Sequence, residues 1–321
     1  MGMLPTAAEV LSAAHRLRSV IERTPLVRSS ALSASVGADV YLKCEQLQRT
    51  GSFKLRGAYN ALATMSEDAR ARGVVASSAG NHGLGVAHAA RLLGVRARIF
   101  VPRGAPAVKQ DGIRALGAEV DASSPHYDIA QDAAMAYADA NAMTFVSPCA
   151  GEMLLAGQGT VALEILEDLP TVGSIVVSVG GGGLVGGIAA LVRAVAPTVR
   201  IIGAQTERTN AMAASLQNGR VVPIDVEAST IADGLAGAID EVGLAIGQFA
   251  IDDMCVVTEE ATRDAMVWLA REHDMRVEGA AAASVAALLS HRLDAAPGPI
   301  AAILCGGNID PAKWSAITGR K

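Results

Sequence analysis

The sequence predicts an α/β protein built on mainly parallel sheet, and three observations carry that expectation. Short β-branched runs recur along the chain without polar alternation, as strands buried on both faces require. Ala- and Leu-rich stretches of helical length separate them. Glycine is abundant, 33 of 321 residues, which suits tight strand–helix turns and close approach of backbone to a ligand. Strands alternating with helices mark the α/β class rather than a sandwich or a bundle.

Taken in order, Val74-Val75-Ala76 reads as a buried strand and residues 85–93 as the helix after it. Residues 97–101 form the next strand, followed by helical segments at 108–116 and 128–140. Further strands are expected at Ile175-Val176-Val177, at Arg200-Ile201-Ile202 and over 300–304, with a helix over 261–272. Residues 71–147 hold strand–helix repeats of their own. They are expected to form a small domain inserted into a larger one made of 1–70 and 148–321.

Composition removes several classes of function. With 51% hydrophobic residues and no polar low-complexity tract, the chain is not disordered. Its net charge is −5 and it has no basic arm, so nucleic acid is not an expected partner. Cys44, Cys149, Cys255 and Cys305 lie far apart, and the N-terminus has no signal-peptide pattern. Reduced thiols in a cytoplasmic setting are expected. Residues 171–192 carry no charge and are long enough to span a bilayer. Their β-branched start and four consecutive glycines instead read as strand, turn and helix, so no membrane partner is expected.

Those glycines are Gly180, Gly181, Gly182 and Gly183, and Gly181 to Gly186 satisfy G-x-G-x-x-G between a strand and a helix. Glu207 lies where a dinucleotide fold places its ribose-binding acid, so a nicotinamide oxidoreductase is one reading. The narrower chemistry is shared by any phosphate: glycines let N–H groups approach it, and a helix N-terminus favours its charge.

Three other segments discriminate. They are Ser52-Phe53-Lys54-Leu55-Arg56-Gly57, Ser78-Ala79-Gly80-Asn81-His82-Gly83, and Cys305-Gly306-Gly307-Asn308-Ile309-Asp310. The last two follow apolar strands, at the sheet edge where open α/β folds collect their ligands. In this order, with the glycine loop, the segments resemble the serine/threonine dehydratase family. These are pyridoxal-phosphate enzymes of fold-type II, tryptophan-synthase-β-like, and serine racemase is among them. The resemblance covers nearly the whole chain from Arg23-Thr24-Pro25-Leu26 onward.

The resemblance implies two open twisted, mainly parallel sheets with flanking helices and pyridoxal phosphate in the cleft between domains. It implies that Lys54 forms the Schiff base, that Phe53 packs beside the pyridine ring and that Asn81 bonds the ring 3′-oxygen. Gly180, Gly181, Gly182, Gly183 and Leu184 would hold the phosphate, and Cys305 would face the ring nitrogen. Ser78, Gly80, Asn81 and His82 would hold the substrate carboxylate. The implied reaction is β-elimination from L-threonine, L-serine or a related 3-hydroxy amino acid, giving a 2-oxo acid and ammonia. A homodimer or higher homo-oligomer is implied as well. A non-catalytic binding protein on the same fold is the rival outside enzymes.

Departures from the family pattern refine the expectation. A thiol at position 305 is a weak donor and cannot hold a pyridinium, so elimination is favoured over a long-lived carbanion. Serine racemases carry Ser where this chain has Ala79, which has no proton to exchange, so dehydration is expected over racemisation. The chain ends shortly after Asp310, so the C-terminal regulatory domain of biosynthetic threonine dehydratases is expected to be absent. In the cation-binding segment only Glu207 keeps a carboxylate and Ala213 replaces an Asp. A divalent site is therefore disfavoured, and a monovalent cation stays open. Small side chains at Cys149, Ala150 and Gly151 suggest room for a larger substrate such as phenylserine, and hydroxyaspartate is a further alternative. His15, His88, His126, His273 and His291 show no metal-ligand spacing and read as structural or exposed.

Overall fold

A computed structural model describes residues 4–105, 107–224, 229–290, 293, 295 and 297–320. The chain opens with α1 (Ala7–Leu17), β1 (Leu26–Arg28), α2 (Ser30–Val36) and β2 (Val40–Lys43). Next come α3 (Lys54–Ala63) and α4 (Glu67–Arg72), then β3 (Val74–Ser77), α5 (Asn81–Leu93) and β4 (Ala97–Phe100). After these lie α6 (Ala107–Ala115), β5 (Glu119–Asp121), α7 (Tyr127–Ala140), β6 (Thr144–Phe145) and α8 (Glu152–Asp168). The alternation continues through β7 (Ser174–Ser178), α9 (Gly183–Val195), β8 (Arg200–Thr206), α10 (Ala211–Asn218) and α11 (Glu241–Ala250). It closes with β9 (Asp253–Val257), α12 (Glu259–His273), α13 (Gly279–Leu289), β10 (Ile300–Ile303) and α14 (Pro311–Thr318).

The strands form two sheets. The larger has the order β1-β2-β10-β7-β8-β9, with β1 antiparallel to β2 and every other pair parallel. The smaller, β5-β4-β3-β6, is parallel throughout and is drawn entirely from residues 74–145. All residues of β7 and β10 are buried, which is why the centre of β7 and the whole of β10 read as apolar runs. In β3 the two-residue period divides the packing. Val74 and Ala76 join the core beneath α5, and Val75 packs with Ala130 and Ala134 of α7 on the other face.

Every strand and helix expected from the sequence is present, within a residue at most strand ends. The residues once readable as a membrane span are β7, a glycine turn and α9, and among the described residues no helix is long and apolar enough to cross a membrane. His291 lies outside the described residues.

Helix α3 lies between α5 and α8, and glycines set how close it comes. A Cβ on Gly57 would stand 2.7 Å from the Leu154 carbonyl, and one on Gly157 only 2.4 Å from the Arg56 carbonyl. Backbone therefore meets backbone at this crossing, which no side chain larger than hydrogen permits. On the opposite side Gly85 of α5 approaches the Lys54 carbonyl carbon, at 3.2 Å from its would-be Cβ. The first turn of α3 is thus clasped from both sides.

Candidate active site

Lys54 is the first residue of α3, and the chain before it is stitched to the end of β10. Ser52 forms an antiparallel bridge with Gly306, and the Phe53 N–H donates to the Cys305 carbonyl at 3.2 Å. The Gly307 N–H donates to the Gly51 carbonyl, and Asn308 Nδ2 donates to the Thr50 carbonyl at 2.7 Å. Two segments some 250 residues apart in sequence thereby bring Lys54 beside Cys305. Phe53 is almost buried, its ring centroid 5.1 Å from Lys54 Nζ.

The amine donates to the Pro148 carbonyl at 2.7 Å. Desolvation pulls its pKa below the ordinary lysine value, against the opposing pull of Cys149, Cys305 and Glu278. Lys54 as a residue is half-buried, and its amine is shifted toward the neutral form. Cys305 is buried, and burial followed by the nearby Glu278 raises its thiol well above the ordinary range, keeping it neutral.

Cys149, next to Pro148, lies on the glycine loop. A Cβ on Gly181 would be 2.7 Å from Cys149 Sγ, and one on Gly183 would be 2.8 Å from Cys149 Cα. Gly182 has φ +93°, a conformation natural only to glycine. The loop feeds straight into α9, whose first-turn N–H groups lack intrahelical partners and face the turn, an anion cradle. Lys54 and the cradle therefore border one short segment, 148–149.

At the edge of the smaller sheet, β3 ends in the turn that opens α5. The Gly80 N–H donates to Ser78 Oγ at 3.2 Å, and a Cβ on Gly83 would fall 2.1 Å from the Ser78 carbonyl. Asn81 Nδ2 donates to Glu278 Oε1 at 2.8 Å, and Asn81 Oδ1 accepts from Asn308 Nδ2 at 2.7 Å. His82 Nε2 lies 2.9 Å from the Val146 carbonyl, and desolvation followed by the Lys54 charge lowers its pKa to about 3. Its ring is thus neutral and turned to the β6 side. In the first turn of α5 His82 presents a backbone N–H, not an imidazolium.

Cys149 packs on the glycine loop, while Ala150 and Gly151 line a separate cleft of about 290 Å³ with Ala61, Met65, Phe145 and Met153. Lys54 is not among that cleft's walls, whereas Cys149 stands close enough to Lys54 for the two to act on each other's charge. Glu207 follows β8, and its Oε1 accepts the Glu259 N–H at 3.2 Å, which ties β8 to the start of α12. No group of three or more metal-ligating side chains occurs among the described residues. His273 is tied to Ser29 Oγ at 2.8 Å, a structural contact.

Sequence reasoning missed Glu278 and the Pro148 carbonyl. Glu278 had one signal, a lone acid directly before the uncharged, alanine-rich helix α13. A backbone carbonyl has none.

An amine biased toward neutrality and an anion cradle bordering the same segment suit a cofactor that carries both an aldehyde and a phosphate. Comparison with known proteins narrows this class. Residues 17–306 match the family described as pyridoxal-phosphate dependent enzyme, and the chain belongs to that family. It is 43% identical over 306 residues to the L-threonine ammonia-lyase of Thermotoga maritima, covering 95% of this chain and 76% of that one. It is 36% identical over 320 residues to the catabolic L-threonine dehydratase of Escherichia coli K12, covering 98% and 97%. Its structure superposes on maize serine racemase with a TM-score of 0.92 at 30% identity, covering 98% of each chain.

Proposed function

We propose that the chain is a pyridoxal-phosphate dependent ammonia-lyase that converts L-threonine or L-serine to a 2-oxo acid and ammonia by β-elimination. The observation that carries this reading is that Lys54 and the glycine cradle both border residues 148–149 while Cys305 is held beside Lys54. Two relatives that match nearly the whole length of the chain are named as an L-threonine ammonia-lyase and an L-threonine dehydratase. The site would lie between a large unit, 1–70 with 148–321, and a small one, 71–147.

When bound, the cofactor supplies an aldehyde to capture the substrate amine and a ring to accept electron density from Cα. Lys54 would carry it, with Phe53 against the ring and residues 180–183 with Leu184 around its phosphate. The lowered pKa of Lys54 leaves a larger share of Nζ free to take the Cα proton. Ser78, Gly80, Asn81 and the His82 N–H form the concave start of α5, where a carboxylate meets the positive end of a helix. Cys305 stays a neutral thiol and adds no charge to the ring nitrogen, which favours prompt loss of the β-hydroxyl. Ala79 offers no proton to the opposite face of Cα, so the configuration is not scrambled before elimination.

A reducing, cytoplasmic setting and a homo-oligomer belong to the same reading; none of the four cysteines forms a disulfide. A segment with one carboxylate, Glu207, suits a monovalent ion held mainly by carbonyls better than a divalent one.

The test is direct. Protein purified with added pyridoxal phosphate is expected to absorb in the visible and to release ammonia and 2-oxo acid from L-threonine, with little D-isomer. A colourless protein refutes the reading, and dominant racemisation refutes the role of Ala79.

A further inference from the structure

Glu278 caps no hydrogen bond of its own helix with its side chain, yet it is buried at the start of α13 beside the candidate site. Its Oε1 accepts from Asn81 Nδ2 at 2.8 Å, and its backbone N–H donates to the Gly306 carbonyl at 3.2 Å. A Cβ on Gly306 would stand 2.4 Å from Oε1, so the carboxyl rests directly on the chain that follows Cys305.

The orientation of Asn81 follows from its partners. The Thr50 carbonyl can only accept, so Asn308 must present Nδ2 to it, and the same Nδ2 reaches Asn81 Oδ1 at 2.7 Å. Asn81 is left with its oxygen engaged and its Nδ2 turned to Glu278. One N–H of that group goes to Oε1 and the second is left for a ligand acceptor. The two contacts work together: Asn308 fixes the oxygen end and Glu278 fixes the donor end.

We propose that Glu278 is a positioning residue: it locks Asn81 as a hydrogen-bond donor toward the ring oxygen of the bound cofactor, and its own proton modulates that bond. The inference rests on the functional reading above. A neutral carboxyl takes a weaker bond from Asn81 and leaves the second N–H a better donor, whereas a carboxylate adds a negative charge beside the ring oxygen.

The surroundings of Glu278 set when this happens. Burial pushes its pKa up to about 7, reinforced by Asp233 in the 3₁₀ turn after α10. Opposing this are the Asn81 bond, Lys109 of α6 and Lys54 of α3, while the neutral Cys305 lies close to it in the segment after β10. Lys109 Nζ lies 3.5 Å from Asp233, so these two charges partly cancel before they reach Glu278.

The test compares wild type, Glu278→Gln and Glu278→Ala, with pyridoxal phosphate as the probe. Equilibrium affinity for the cofactor and the visible spectrum are read from about pH 5 to 9. Loss of one hydrogen bond in Glu278→Ala is expected to weaken cofactor binding about 5- to 10-fold and to shift the band. Glu278→Gln keeps an acceptor, so it should retain affinity within about 3-fold but lose the spectral transition near neutrality. An Ala variant with unchanged affinity and band, or a Gln variant keeping the wild-type transition, overturns the proposal. If the Ala variant does not fold, the Gln titration alone decides. A wild type that never acquires colour defeats the functional reading and this inference with it. A coloured wild type with two indifferent variants defeats only the inference.

Discussion

Lys54 and Arg56 stand two residues apart on one helix turn and meet opposite conditions. Arg56 is fully buried, and its guanidinium is saturated with carboxylates. It donates through Nε and Nη2 to Glu45 at 2.8 and 2.7 Å, and through Nη1 to Glu164 at 2.7 Å. Lys43 completes the cluster, donating to Glu164 and to the Thr24 carbonyl, each at 2.6 Å. Desolvation opposes the Arg56 charge, but Glu45 and Glu164 overcome it and raise its pKa. Burial likewise opposes the Glu164 charge, and Arg56 and Lys43 reverse the balance and hold it below its ordinary value. Lys54 is given one neutral carbonyl instead and is shifted the other way. A step of two residues turns a helix by about 200°, so α3 presents an anchoring cation to one side and a reactive amine to the other. What separates anchor from reagent is the supply of carboxylates.

The comparison can be broken in order of expected effect. Lys54→Ala should abolish the visible band and cut ammonia release at least about 1,000-fold, with the melting temperature unchanged or raised because a desolvated amine is gone. A large loss of stability would show that Lys54 is an anchor after all. Arg56→Met leaves Glu45 without its cationic partner and Glu164 with Lys43 alone, and should cost about 3–5 kcal/mol in denaturant unfolding, with soluble yield falling accordingly.

Glu278→Gln probes the uncompensated side in the apoprotein. The native pKa of about 7 exceeds the ordinary 4.5, so the native state holds a proton that the unfolded chain releases first. Wild-type stability attributable to Glu278 is therefore complete below the unfolded pKa and falls as pH rises toward 7. The variant should overtake wild type by up to about 3 kcal/mol above that pH, read as unfolding midpoints across the range. The smallest effect is expected at the surface. Arg23 pairs with Glu167 and Asp168 at 2.6 Å each but is half exposed, so Arg23→Ala should cost about 1 kcal/mol or less.

The legible part of the molecule was the part whose pattern is local. The apolar stretches of β7, β8 and β10 announce themselves because burial on both faces favours β-branched and small apolar residues there, and the glycine loop because its backbone geometry demands its residue type. β1, β5 and β6 are two or three residues long and partly exposed, too short for a period-two signal, and β9 mixes Asp with apolar residues. In the site, Lys54, Asn81 and Cys305 stood inside recognisable motifs. The His82 ring direction did not, because the Val146 carbonyl that claims it lies 64 residues away. The Arg56–Glu45–Glu164–Lys43 cluster was equally hidden, since single charged residues in sequence read as solvated until long-range packing places them together.

The backbone contact of Gly57 with Gly157 has a kinematic consequence. Side-chain contacts can be renegotiated by rotamer changes, but two backbones in contact leave no soft coordinate along which to slide. The first turn of α3 is therefore seated against α8 by main chain alone, so the position of the Lys54 backbone is set without reference to any rotamer.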